Sequence, residues 1–194
     1  MHALPERPDG AARFPDPVAQ LQTGIDALPV YKSNEPGQLD RAGVNYRMFD
    51  PADYNIPGSF GVIYTTPKYL SEHPTAVQDF VRAAVKGYAD ANADPAAAVA
   101  LAIKQINAAS NQNFLSQEGE TFRWQQESAI VARGTPPGQP PGLIDGARLD
   151  AEVAAYAAAN IFPDGAPSTE GTYAPDAAAG VYGPDGTLIW PAQS

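Results

Sequence analysis

Apolar residues along this chain follow two spacings. Val77, Phe80, Val81, Ala84, Val85 and Tyr88 recur at i, i+3, i+4, i+7, i+8 and i+11, one face of an α-helix, and predict a helix over 75–92. Asp94-Pro95 opens the next, to about 107, with Val99, Ile103 and Ile106 inward. A third runs over about 116–133, with Phe122, Ala129 and Ile130 on one side and Gly134 as its stop. Asp145 caps a last helix to about 160, with Leu149, Val153 and Tyr156 inward. Nearer the N-terminus, Asp16-Pro17 supplies an N-cap and a first-turn proline, and Gly24 can end that helix in a left-handed conformation. A short helix starts at Ser33 or Asn34 and stops before Gly43, and Thr66-Pro67 caps one more helical turn.

Between these helices lie runs with strand character. Residues 25–31 read as a short strand, which Pro29 confines to an edge or bulge. Residues 44–49 place Val44, Tyr46 and Met48 on one face, and 60–65 form a compact run rich in β-branched and aromatic residues. The stretch 50–59 holds two prolines and reads as a loop, and residues 1–14 read as irregular. Four prolines and three glycines make 134–142 a stiff connector. The Gly/Pro-rich tail, 163–194, contains one expected hairpin: Val181-Tyr182, a turn at 183–186, then 187–190. The order helix–strand–helix–strand–loop–strand, then four helices, implies an α/β first half and a helix-rich C-terminal half.

Composition narrows the chemistry. The 194 residues carry 12 Lys+Arg against 22 Asp+Glu, a net charge of −10, which argues against nucleic acid, since phosphate neutralisation needs a basic face. The same acidity is ill suited to anionic membrane surfaces. The absence of cysteine removes disulfides, thiolate metal sites and thiol nucleophiles, and His2 and His73 leave little for zinc. With 35 alanines, apolar periodicity is blurred, because Ala fits either face of a helix. The longest apolar run, 96–103, is far below the ~20 residues of a membrane span, so no direct membrane insertion is expected. Residues 1–17 lack the apolar core of a signal peptide.

No dinucleotide, Walker A, nucleophile-elbow, zincin or EF-hand pattern occurs. His73 before Pro74 reads as a surface or capping histidine, and Asp50, Asp53 and Asn55 as solvated turn residues, not a calcium loop. Glu118/Glu120 and Asp150/Glu152 lie near helix starts, where they complement the dipole, and Trp124 and Trp190 read as packing residues. No catalytic or metal-binding residue and no cofactor is assigned. The segment 31–36, Tyr-Lys-Ser-Asn-Glu-Pro, sits where a predicted strand end meets a helix start, a place where α/β folds collect ligands. Tyr31 offers a ring, Asn34 a donor and an acceptor, and Glu35 an acceptor. The alternative is that Asn34 is an N-cap and Glu35 a first-turn acid.

Gly24-Ile25-Asp26-Ala27, the 31–36 segment, Leu39, Gly43-Val44 and Asp53-Tyr54 then follow in order. With the 60–70 run, Asp94-Pro95, Phe122-Arg123-Trp124-Gln125, Ile144-Asp145 and 188–191, they resemble solute-binding proteins of ABC importers. The branch is that of thiamine-pyrimidine-precursor, nitrate, sulfonate and taurine binders, with the related fungal pyrimidine-precursor synthases. The resemblance implies a type II periplasmic-binding-protein-like α/β fold, two lobes closing over a small molecule, and an ABC permease as partner. It also implies an extracytoplasmic location and a ligand site at Tyr31, Asn34, Glu35, Asp53 and Tyr54. On that template 15–59 finish the second lobe, 60–162 hold the crossing strand and the helical remainder of the first, and the earlier part of the first lobe is missing. A synthase-like enzyme is disfavoured, since the family's cysteine cluster has no counterpart beside Tyr31. A remnant or partner module without ligand binding is the other alternative.

Overall fold

A computed structural model describes residues 16–54, 56, 61–109, 115–143 and 145–192. The expected irregular segment 1–14, and Asn55, Phe60 and Ile144, lie outside the described residues.

Eight α-helices are described: α1 (Pro17–Leu21), α2 (Glu35–Arg41), α3 (Pro67–Glu72), α4 (Pro74–Ala93), α5 (Pro95–Ala108), α6 (Gln117–Gly134), α7 (Gly146–Ala158) and α8 (Pro175–Ala179). A 3-10 helix spans Pro51–Tyr54, within the predicted loop. The caps explain the starts. Asp16, Thr66, Asp94, Ser116 and Asp145 each accept a hydrogen bond from a first-turn N–H, and proline occupies the first turn of α1 through α5. Gly43 directly follows the C-cap of α2 at φ +67°, where a Cβ would be strained, so α2 stops there, whereas α1 already ends at Leu21, with Gly24 (φ +84°) two residues beyond its C-cap.

The strands do not form. Residues 25–31, 44–49 and 61–66 carry no regular secondary structure and none is in a sheet ladder; the described residues contain only an isolated antiparallel bridge, Tyr182 to Leu188. A strand is held by its neighbour's N–H and C=O groups, and among the described residues no second strand lies beside these runs. The hairpin at 181–190 is reduced to that bridge, with Gly183 N–H donating to Thr187 O (2.8 Å) and Ile189 N–H to Val181 O (2.9 Å). The helix-rich C-terminal half is as expected. The short helix α8 was not anticipated, because its five residues carry no measurable periodicity.

Packing runs helix to helix: α1 on α2, α2 on α6, α6 on α5, α5 on α4, and α4 against α3 and α8. Buried apolar side chains among the described residues are Pro17, Pro36, Leu39, Val99, Ala178 and Val181. Several expected inward residues are not covered: Phe80 is 63% exposed, and Ala129 is also exposed. Conversely Arg82 on α4 is buried and pairs with Asp79 one turn earlier. Trp190, read as a packing residue, is half exposed, with the Lys86 ammonium 6.0 Å from its ring centre. Trp124 packs as expected, its ring 5.6 Å from that of Tyr88. The Tyr182 hydroxyl donates to Pro141 O, which fastens the tail to the connector, and burial pushes that phenol's pKa up.

A close approach joins α2 to α6. A Cβ on Gly37 would lie 2.6 Å from Cδ1 and 2.7 Å from Cε1 of Phe122. Alanine ordinarily favours a helix over glycine by about 1 kcal/mol, but here the methyl would enter the ring. Gly37→Ala is therefore expected to destabilise the chain by roughly 1–3 kcal/mol, read as a lower urea midpoint; a raised midpoint would show that the ring moves aside freely.

Candidate functional site

The segment preceding α2 turns tightly. Tyr31 O accepts from Asn34 N–H (2.8 Å), which brings the chain round so that Glu35, the first residue of α2, lies under Tyr31. Glu35 Oε2 then accepts from Tyr31 N–H at 2.8 Å, and Glu35 Oε1 from Asn34 Nδ2 at 3.0 Å. Both carboxylate oxygens are thus oriented by N–H donors, with lone pairs remaining on each. The Tyr31 ring stands out from this cluster, 75% exposed.

Asn34 occupies the N-cap position of α2, yet its side chain makes no capping bond. Its Oδ1 accepts instead from Gln38 Nε2 (3.1 Å) and from Arg123 Nη2 on α6 (3.0 Å). Arg123 Nε also lies 3.4 Å from Glu120 Oε2, an ion pair too poorly aligned to be a hydrogen bond for that nitrogen. The structure therefore gathers Tyr31, Asn34 and Glu35 into one hydrogen-bonded group and adds Gln38 and Arg123, neither of which sequence reasoning had placed at the site. Gln38 follows Asn34 by one helical turn and could have been found from spacing. Arg123 is 89 residues away, and no local pattern signals it.

Asp53 and Tyr54 lie on the 3-10 helix and are exposed. They make no described contact with the Tyr31 group. The link between the two segments is an ion pair between Lys32 and Asp50, both partly buried, with Asp50 Oδ1 also accepting from Ala52 N–H at 3.0 Å. Two concavities, of about 410 Å³ beside Pro140, Leu143, Tyr182 and Asp185 and about 330 Å³ beside Asn92, Trp124 and Ser128, lie elsewhere, and the five predicted side chains line neither. Among the described residues the Tyr31 ring of this group stands open, at 75% exposure. Among the described residues no group of three or more His, Asp or Glu is placed to hold a metal ion, and no helix is long and apolar enough to cross a membrane.

The Lys32 ammonium beside Asp50, and the Ala52 N–H, hold the Asp50 carboxyl below the usual carboxylate range. A folded-state pKa below the unfolded one stabilises the fold above the unfolded value, and the gain disappears as pH falls through the folded value. Denaturant midpoints measured between pH 6 and pH 2 are expected to fall less steeply for Asp50→Asn than for the wild type. Parallel curves would mean that the pair contributes nothing to folding.

The family described as "NMT1/THI5 like" matches residues 13–98, a span that contains Tyr31, Asn34, Glu35, Asp53 and Tyr54 and ends before α6. The chain is also 33% identical over 120 residues to the riboflavin-binding protein RibY of Chloroflexus aurantiacus, a match covering 59% of this chain and 33% of that protein. The chain thus spans about a third of that relative's length. No solved structure matches it at a significant level. The resemblance read from the sequence is met by a family match over residues 13–98 and by a relative that is itself named as a riboflavin-binding protein.

Proposed function

We propose that this chain supplies one wall of the binding site in a solute-binding component of an ABC-type importer, working outside the cytoplasm beside a permease. Its fold in that assembly is the type II periplasmic-binding-protein-like α/β arrangement, with the missing strands contributed by the rest of that arrangement. The solute is a small organic molecule with a flat nitrogen-containing ring, pyrimidine-like or larger, in preference to a sulfonate or nitrate. Asp53 and Tyr54 form the rim that Lys32–Asp50 ties to the Tyr31 segment.

One observation carries the ring preference: an exposed aromatic residue holds, by its own backbone N–H, a carboxylate whose two oxygens are already oriented. Tyr31 can stack on a ring face while Glu35 accepts from ring N–H groups. An anion at the same place would meet Glu35 with like charge. The matched relative is named for riboflavin, whose flat ring system carries an imide N–H, so riboflavin is the first ligand to test.

Isothermal titration of the chain with riboflavin, a 4-aminopyrimidine, taurine and nitrate is expected to give saturable heat with the ring compounds alone. Tyr31→Ala and Glu35→Ala should each weaken Kd about tenfold or more, about 1.4 kcal/mol. Saturation by taurine or nitrate alone overturns the ring preference, and an unchanged Kd for Glu35→Ala removes that residue from the site.

A second observation supports the reading that this wall works packed against a further polypeptide surface. Val62, Ile63 and Tyr64 are adjacent and 76, 56 and 90% exposed, an uncovered apolar run of the kind that a partner surface can cover. A hydrophobic dye should brighten on the native chain and brighten less on Val62→Thr/Ile63→Thr. Negligible dye binding by the native chain speaks for a self-sufficient fold.

A further inference from the structure

The family match ends at residue 98, and nothing in it reaches α6. We infer that Arg123 on α6 is the positioning residue of the site, fixing the direction of the Asn34 amide and, through it, the Glu35 carboxylate and the Tyr31 backbone. The inference rests on the reading of Tyr31, Asn34 and Glu35 as a ligand wall.

A carboxamide presents an acceptor at one end and donors at the other, and turning it by half a revolution exchanges them. Asn34 Oδ1 faces Arg123 Nη2 at 3.0 Å, and Asn34 Nδ2 faces Glu35 Oε1 at 3.0 Å. A guanidinium has five N–H donors and no acceptor, and an ionised carboxylate has acceptors only. Reversing the amide would set donor against donor at Arg123 and acceptor against acceptor at Glu35. Gln38 Nε2 also reaches Asn34 Oδ1, at 3.1 Å, but its own amide can turn and offer oxygen instead. Arg123 cannot, so Arg123 sets the polarity of the group. From there the order passes outward: Asn34 Nδ2 to Glu35 Oε1, and Glu35 Oε2 to the N–H of Tyr31 at 2.8 Å. Arg123 itself is held by the seating of the adjacent Phe122 against Gly37 and by its contact with Glu120.

The test needs no ligand for its first arm. In amide-resolved NMR of the full chain, the Asn34 side-chain signals, identified by their loss in Asn34→Ser, are expected to lie displaced from the free-carboxamide position. Arg123→Met should return them to that position while the backbone signals of α6 stay near wild type. Arg123→Lys, which keeps a charged donor, should retain part of the displacement, and Gln38→Leu should retain most of it. If Arg123→Met does not fold, the ordering of Arg123→Lys and Gln38→Leu decides. Asn34 signals that ignore Arg123 and follow Gln38 overturn the inference. In the second arm riboflavin is the probe: Arg123→Met should weaken binding at least tenfold, with partial rescue in Arg123→Lys. Equal riboflavin affinity in wild type and Arg123→Met overturns the positioning role. Failure of the wild type to bind riboflavin counts against the proposed ligand, and the Asn34 signals then decide the role of Arg123.

Discussion

Asn34 lies between a side chain that can only donate and one that can only accept, and the rest of the candidate site takes its order from that placement. The bond from Arg123 crosses from α6 to the start of α2, so a local turn is stabilised from a distant part of the chain. Charge-assisted hydrogen bonds of this type are roughly twice as strong as neutral ones. Asn34 forgoes the capping bond that its position would favour and directs its oxygen to the guanidinium and Gln38 instead. Proline in the first turn of α2 lessens the loss, since it removes one of the N–H groups a cap would otherwise have to satisfy.

The helices were legible because their signals are local. An N-cap side chain reaches a donor two or three residues on, a proline fixes its own φ, and a glycine ends the helix where a Cβ would be strained. Asp16, Thr66, Asp94, Ser116 and Asp145 all cap as their residue types predict. The strands were misjudged for the complementary reason. Alternation over 44–49 and the apolar run ending at 65 record that these residues suit a pleated, covered environment. They say nothing of where the partner strand comes from, and among the described residues none is adjacent. An unpaired run with exposed Val62, Ile63 and Tyr64 is what such a segment looks like alone.

The site was legible to the same depth. Tyr31, Asn34 and Glu35 lie within five residues, and a single turn brings them together. The choice between a cap and a ligand contact for Asn34 could not be made from that segment, because a residue 89 positions later decides it. Asp53 and Tyr54 share the family-matched span with the Tyr31 group but not its hydrogen bonds, and among the described contacts the Lys32–Asp50 pair joins the two segments.

The notch at Gly37 has a mechanical meaning. With a phenyl ring filling the space where a side chain would begin, α2 has no slack to slide or roll on α6 without dislodging Phe122. A pull on the start of α2 would therefore reach α6 as displacement instead of being absorbed between them. The two helices would travel as one lever, with α5, packed on the far element, feeling the motion next.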